Sequence, residues 1–533
     1  MMEAFAANRE AIERELLPPN VGALLDQAVA RYGERPFWVS VDDGVTLSYQ
    51  QFAQRVDQCA AALAGFGVGR GTHIAVMLPN IPAFAITWIA LARLAAVMIP
   101  VNTRFTSREL EYVLTQSDAE VLIIDCEYLE NLDSAAPAIP RHRTIVHGGA
   151  PPGFPHDWDA HVEAAPPGRT TDGRVNTDDL LTIQYTSGST GFPKGCMLTH
   201  RYWTIIGHVR ARHSAPVQRM MLDMPFYYMG GQWRLLMALY LGATAFVARQ
   251  MSMSRFLDRL VDHRIDFCSV SNALAKLPAD PRYAELFLTW ATSMDLNKDL
   301  HRSFEDRLNA PIREIYGTTE TGAALSMPIE ATHMVGTGAC GLPVAFRECM
   351  IVDGEGCEVT TGETGELWVS GPGIMQGYYK RPEATTKVMR GKWFRTGDLF
   401  HKDHAGYHTI QGRIKDVIRR SGENIAASEI EAVLHEMPEI VDAAAVPAAD
   451  PDRGEEVKIC ISLKAGFGKE NVPPAQIIAF CRDRLAKFKL PRYIEYRDQL
   501  PKTAKGSIAK HKLHTEGNDL RELSFDTVDG VWR

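Results

Sequence analysis

The chain has 533 residues, 45% of them hydrophobic, which is too long for one ordinary core and implies a large body with at least one further domain. A formal net charge of −8, with no Lys/Arg run, gives no attraction to nucleic acid or to an anionic membrane surface. Nine cysteines without a C-x-x-C pair indicate neither a zinc site nor a disulfide framework, so a reducing cytoplasm fits best.

In chain order, residues 3–15 alternate charge (Glu3, Arg9, Glu10, Glu13, Arg14, Glu15) and read as an exposed helix, not a signal peptide. From Thr72 short apolar runs alternate with helical ones: 73–78, 81–96, 97–101, 107–116 and 120–125. This is βαβ alternation, expected to give a largely parallel, helix-covered sheet. The apolar stretch 83–101 contains Arg93 and Pro100, so it is a buried helix and strand and not a membrane span. Residues 149–173 are rich in Pro and Gly and read as a linker. Leu180 to Tyr185 is a buried strand, a second alternating stretch covers 219–315, and a β-rich, turn-rich part covers 336–412. After Asp416 the pattern changes to a helix at 427–436, strands at 441–446 and 457–463, and a helix at 474–485. The fold class expected is α/β: a large N-terminal body of helix-covered sheets with a β-rich subdomain, and a small α+β C-terminal domain.

The segment Tyr185-Thr186-Ser187-Gly188-Ser189-Thr190-Gly191-Phe192-Pro193-Lys194-Gly195 concentrates glycines, hydroxyls and one lysine in a loop that leaves a strand end. Glycines let backbone N–H groups approach an anion, hydroxyls add donors, and Lys194 adds charge. It is not a Walker loop, because Pro193 precedes the lysine and Gly195 follows it.

This loop resembles the phosphate-binding motif of the adenylate-forming superfamily, which includes acyl-CoA synthetases, peptide-synthetase adenylation domains and firefly-type luciferases. Tyr316-Gly317-Thr318-Thr319-Glu320-Thr321-Gly322, Phe394-Arg395-Thr396-Gly397-Asp398-Leu399, Gly412-Arg413-Ile414-Lys415-Asp416 and Ser421-Gly422-Glu423-Asn424-Ile425 follow in that superfamily's order. The resemblance implies an N-terminal AMP-binding domain over 1–414 and a mobile C-terminal domain over 415–533, hinged at Lys415. It implies that Thr186, Ser187, Ser189, Thr190 and Lys194 hold the β- and γ-phosphates of ATP and that Glu320 helps bind Mg2+. Tyr316 and Thr319 would contact the nucleotide, with Tyr316 stacked on adenine. Asp398 and Arg413 would hold the ribose, Asp398 from a tight turn at 396–398. Gly422 would line the pantetheine tunnel for coenzyme A, and Lys487, Lys489 and Arg492 offer a basic face for its phosphates. Tyr228, where relatives commonly have His, joins Gly230, Gly231, Trp233 and Gly338 in an expected apolar pocket for a bulky acid.

Two departures stand out. Ser293-Met294-Asp295-Leu296-Asn297 replaces a small-residue loop near the adenine. Pro501-Lys502-Thr503-Ala504-Lys505-Gly506-Ser507 places Ser507 where the superfamily has the lysine that reaches carboxylate and α-phosphate during adenylation. Losing one preorganised electrostatic contact costs on the order of 10²- to 10³-fold in rate. The expected function is acyl-CoA and AMP formation from an acyl-adenylate and coenzyme A, with adenylation impaired or lost and the adenylate supplied by a companion enzyme. The alternatives are a complete ATP-dependent synthetase using Lys505, an enzyme loading a carrier protein, and a non-catalytic nucleotide-binding relative.

Overall fold

The computed structural model describes residues 2–533 except 106, 134–137, 167, 187–192, 214, 295, 414–416, 421–422, 451–452, 486, 504–506 and 514–518. The chain divides into a larger compact unit (Met1–Met350, Trp368–Arg395, Ala405–His408) and a smaller one (Ile351–Leu367, Thr396–His404, Thr409–Arg533).

The larger unit contains the expected parallel sheet. Its strands run in the order His156–Asp157, Thr144–His147, Val121–Asp125, His73–Met77, Val97–Pro100 and Leu180–Thr186, all parallel, with Lys194–Thr199 antiparallel at the edge. In a second sheet, Thr244–Val247, Arg219–Leu222, Phe267–Val270, Trp290–Ser293 and Ile312–Thr318 are parallel, and Gly322–Ser326 turns back antiparallel on the last of them. Pro82–Arg93 and Met229–Leu241, apolar on most faces, are buried along almost their whole lengths, and His200–Arg212 is buried as well although it carries His200, His208 and Arg210 inward. Pro82 starts the first at a position where its missing N–H costs nothing.

One expectation needs correction. Residues 149–173 are not a bare linker: His156–Asp157 extends the sheet, and the Trp158–Ala164 helix, capped by Asp157, packs on the Tyr49–Gly65 helix. The anchor is Trp158, 6% exposed, whose indole N–H donates to Thr87 Oγ1 at 3.1 Å; one large ring outweighs the surrounding Pro and Gly. The Met2–Arg14 helix is largely exposed, as expected, and is anchored at a few points. Ile12 is buried, Glu13 Oε1 accepts from Phe346 N at 2.7 Å, and Arg9 Nη2 donates to Arg347 O at 2.6 Å.

In the smaller unit, the long hairpin of Ile440–Asp450 and Gly454–Leu463 shares an apolar core with the Ala427–His435 and Pro474–Arg482 helices. Tyr493–Tyr496 adds parallel to Gly454–Leu463, followed by Ser524–Asp526 and Val531–Trp532. A charged network is sealed into this sheet. Lys458 pairs with Glu495 at 2.6 Å, Arg420 with Glu456 at 2.7 Å, and Arg492 with Asp450 at 3.0 Å and with Asp526 at 3.3 Å. Arg492 is therefore committed to internal carboxylates and is not part of a free basic face.

Asp526 is fully buried. Burial by itself would raise its pKa, but Arg533, the amides of Asp529 and Val528, and Arg492 bring it down to about 2. A carboxylate depressed in the folded state stabilises the fold above its ordinary pKa of 3.8 and loses that contribution as pH falls towards about 2. Asp526→Ala should cost about 3 kcal/mol at pH 7, because Arg492 and Arg533 lose a buried partner. Urea unfolding at pH 7 and pH 3 checks both the loss and its decline in acid.

Candidate functional site

The glycine-rich loop joins two paired strands. Thr186 and Lys194 face each other across the hairpin, and Thr186 Oγ1 donates to Lys194 O at 3.4 Å. Ser187, Ser189 and Thr190 lie outside the described residues, as do Lys415, Gly422 and Lys505.

Glu320 sits on the turn between Ile312–Thr318 and Gly322–Ser326, beyond the C-terminal end of a parallel strand, where open α/β sheets place ligands. The turn demands glycine on both sides. A Cβ on Gly317 would lie 2.1 Å from Gly322 O, and Gly322 has φ +68°. Thr319 is half-buried on the same turn, and Tyr316 is 8% exposed in the strand before it.

Lys194 and Glu320, distant in sequence, meet on Tyr378. Its hydroxyl donates to Glu320 Oε1 at 2.8 Å, and Lys194 Nζ lies 4.9 Å from its ring centroid. Residues 376–379 attach to the free edge of Lys194–Thr199: Gln376 N donates to Met197 O at 2.9 Å, Met197 N to Gly377 O at 2.9 Å, and Tyr379 N to Gly195 O at 2.8 Å. Met375 N then donates to Glu320 O at 2.8 Å. Burial, then the negative charge of Glu320, pushes the phenol pKa far up, so Tyr378 is a permanent donor to that carboxylate. Cys196, fully buried beneath, has its thiol pushed well up by burial and by Glu320, so it is no nucleophile. Sequence reasoning missed Tyr378; the available signal was the run Gly377-Tyr378-Tyr379-Lys380-Arg381 before Pro382, two aromatics flanked by cations at the start of a helix.

Arg347, also missed, braces the same loops. At 1% exposure it has no carboxylate partner among the described residues, yet all its donors are used. Nε and Nη2 donate to Thr321 O at 3.0 and 2.8 Å, Nη1 to Phe346 O and Pro372 O at 2.8 Å each, and Nη2 to Gly373 O at 3.5 Å. One planar cation thus ties the turn after Glu320 to the segment leading to Tyr378.

The Ser293 departure has a local solution. Asn297 caps the Lys298–Leu308 helix through Asp299 N, and the buried carboxylate of Glu314 accepts from Leu296 N at 3.1 Å. A side-chain acceptor thereby holds the backbone of a loop that lacks small residues.

Among the expected pocket residues, Tyr228 precedes the Met229–Leu241 helix and its hydroxyl accepts from Asn102 Nδ2 at 3.2 Å. Gly231 lies where a Cβ would be 2.8 Å from Pro225 O, and Gly338 is open. Trp233 corrects the expectation of apolar surroundings, because two buried guanidinium groups flank its ring: Arg234 at 4.2 Å and Arg210 at 5.3 Å.

In the smaller unit, residues 396–398 are not a tight turn but part of the Trp393–Lys402 strand, with Gly397 at φ +70°. Thr396 Oγ1 donates to Leu367 O at 2.7 Å and accepts from Asp398 N at 3.1 Å, while Glu366 Oε1 accepts from Gly397 N at 3.1 Å. This fixes Asp398, which is 1% exposed. Arg413 ends the strand His408–Arg413. Ser507 is exposed and pairs with Thr503, Oγ to Oγ1 at 2.8 Å and Thr503 N to Ser507 O at 2.7 Å. Among the described residues nearby, Lys502 pairs with Asp442 at 2.9 Å and Lys510 with Glu431 at 2.8 Å.

Arg347→Met should destabilise the larger unit by about 3 kcal/mol, since four carbonyls, that of buried Thr321 among them, lose their donor. Arg347→Lys should recover less than half of that, because an ammonium cannot reproduce the planar five-donor fork. Equilibrium denaturation of the two variants measures the difference.

A family model described as AMP-binding enzyme matches residues 25–379, and one described as AMP-binding enzyme C-terminal domain matches residues 429–507. The chain is 30% identical to a putative acyl-CoA synthetase, YngI, of Bacillus subtilis (strain 168), over 96% of this chain and 99% of that protein. It is 31% identical to a feruloyl-CoA synthase of Amycolatopsis sp, over 88% and 94%, and 30% identical to an indoleacetate–CoA ligase of Aromatoleum aromaticum, over 90% and 93%. Among solved structures, ATP-bound MatB from Rhodopseudomonas palustris is similar at TM-score 0.81 and 25% identity, covering 93% of this chain and 98% of that one. With its hairpin loop, its Glu320 turn and a family match over most of its length, the chain belongs to the AMP-binding, adenylate-forming enzymes.

Proposed function

We propose that the protein is an acyl-CoA ligase that makes acyl-CoA and AMP from an acyl-adenylate and coenzyme A, with the adenylation half-reaction impaired. The relatives named acyl-CoA synthetase, feruloyl-CoA synthase and indoleacetate–CoA ligase support the ligase reading. In the retained step the thiol sulfur bonds to the acyl carbon, the bond from that carbon to the phosphate oxygen breaks, AMP leaves, and the thiol proton is released.

The observation that carries the finer reading is Ser507, a hydroxyl hydrogen-bonded to Thr503 where adenylation calls for a cation. Lys502 and Lys510, already paired with carboxylates, do not replace it. Adenylation brings a carboxylate against an α-phosphate, and a hydroxyl cannot neutralise that charge. The thioester step joins a thiol to an already activated acyl group and makes no such demand. The acyl-adenylate would then come from a companion adenylating enzyme.

In this reading Lys194 and Thr186, with Ser187, Ser189 and Thr190, face phosphate; Tyr316 and Thr319 contact the nucleotide; and Asp398 and Arg413 hold the ribose. Glu320, a carboxylate beside phosphate-binding groups, suits a hard cation such as Mg2+, which when bound would offset phosphate charge. Tyr378 orients that carboxylate by its hydrogen bond. Gly422 lines the pantetheine path and Lys415 is the pivot.

Ser507→Lys should restore ATP-dependent activity, and the exposed position accommodates the longer side chain. The parent should turn over a preformed acyl-adenylate with coenzyme A but release little pyrophosphate from free acid and ATP; the variant should release it. Pyrophosphate release strong in the parent and abolished by Lys505→Ala would instead identify a complete synthetase with a displaced lysine. Asp398→Ala should weaken AMP binding by roughly 1.5 to 3 kcal/mol, the worth of a charged acceptor, as titration calorimetry would report.

A further inference from the structure

Arg210 is 7% exposed and, among the described residues, makes no hydrogen bond and no ion pair. Its Nε is sealed without an acceptor. Its neighbours do not compensate: Trp233 offers a ring face at 5.3 Å, and Arg234 adds repulsion. Asp223 acts on Arg234, whose Nη1 is also held by Gly230 O at 2.6 Å and whose Nη2 by Ser269. Burial, and then Arg234, lowers the pKa of Arg210 to about 9, so it is still charged at neutral pH. A guanidinium with its Nε sealed and no acceptor on it is unfavourable, and its Nη1 and Nη2 keep some accessible surface on which an acceptor can dock, whereas Arg347 in the same unit satisfies every donor.

The position of Arg210 indicates what would pair with it. Tyr202, Ile206 and Arg210 recur every four residues along the His200–Arg212 helix and so share one face. Tyr202 Cε2 and Ile206 Cδ1 border Gly322, at 3.4 and 3.6 Å from where a Cβ would stand, and this helix packs on Gly322–Ser326. Gly322 is two residues from Glu320, and the Tyr202 hydroxyl meets Met229 Sδ at 3.4 Å, at the start of the helix that carries Trp233. The face thus runs from the Glu320 turn to Arg210, about 12 Å along the helix axis for eight residues.

We propose that Arg210, stacked on Trp233, is an anion-recognising far end of the acyl site, and that the acid accepted there carries a second carboxylate remote from the one joined to AMP. This rests on the acyl-CoA ligase reading above and narrows its substrate class to extended dicarboxylic acids. The guanidinium fork suits a carboxylate bidentately, and Trp233 holds the fork's plane.

The test is calorimetric binding of free α,ω-dicarboxylates of graded length, each against the monocarboxylate of equal length, to the full chain saturated with AMP. Binding needs neither half-reaction, so failure of the split-reaction reading would leave this result interpretable. The parent should prefer a dicarboxylate roughly tenfold or more at one chain length. Arg210→Leu should erase that preference without lowering the melting temperature of the ligand-free protein, since it removes an unpaired charge. Arg210→Lys should keep part of the preference. Equal affinity for both acid classes at every length, a preference that survives Arg210→Leu, or a melting loss in Arg210→Leu as large as that of Arg347→Met would overturn the proposal.

Discussion

The five hydrogen bonds that Arg347 donates to backbone carbonyls hold together the segments on which the larger unit's site is built. Glu320 precedes one of those carbonyls, and Tyr378 follows the segment that supplies two others. Buried carbonyls left without donors are costly, so one cation fixes the geometry of both loops. The Met2–Arg14 helix closes the arrangement from outside, because Arg9 binds Arg347 O and Glu13 binds Phe346 N.

Edge pairing by residues 376–379 provides the second support. A free strand edge presents unpaired N–H and C=O groups, and here a later segment satisfies them and delivers Tyr378 between Lys194 and Glu320. Cation and carboxylate are thereby held by one ring. The phosphate-facing and metal-facing chemistry proposed for them would share a rigid mount and would not depend on two independent loops.

The contrast between Arg347 and Arg210 is one of accounting by hydrogen bonds. Both are buried, and neither has a carboxylate partner among the described residues; Arg347 lies beside the Glu320 turn, and Arg210 at the other end of the helix that packs there. One is saturated by backbone; the other has only a ring and a like charge. The first is explained by architecture, and the second calls for a ligand.

Much of this was legible in the sequence. Alternating apolar runs foretold the parallel sheet, because strand and helix periods differ, and the glycine pattern at 316–322 located a turn through the backbone freedom and close approach that glycine allows. Ser507 could be read in the sequence as the position on which the proposed loss of adenylation rests. Trp158 turned a Pro/Gly-rich stretch into a packed helix, and residues 396–398 entered a strand, because burial and pairing override local turn preference. What only the tertiary structure decided was partnership: which carbonyls meet Arg347, which edge receives Tyr378, and that Arg210 meets none among the described residues. Hydrogen-bond satisfaction depends on residues far apart in the chain, and no local pattern encodes it.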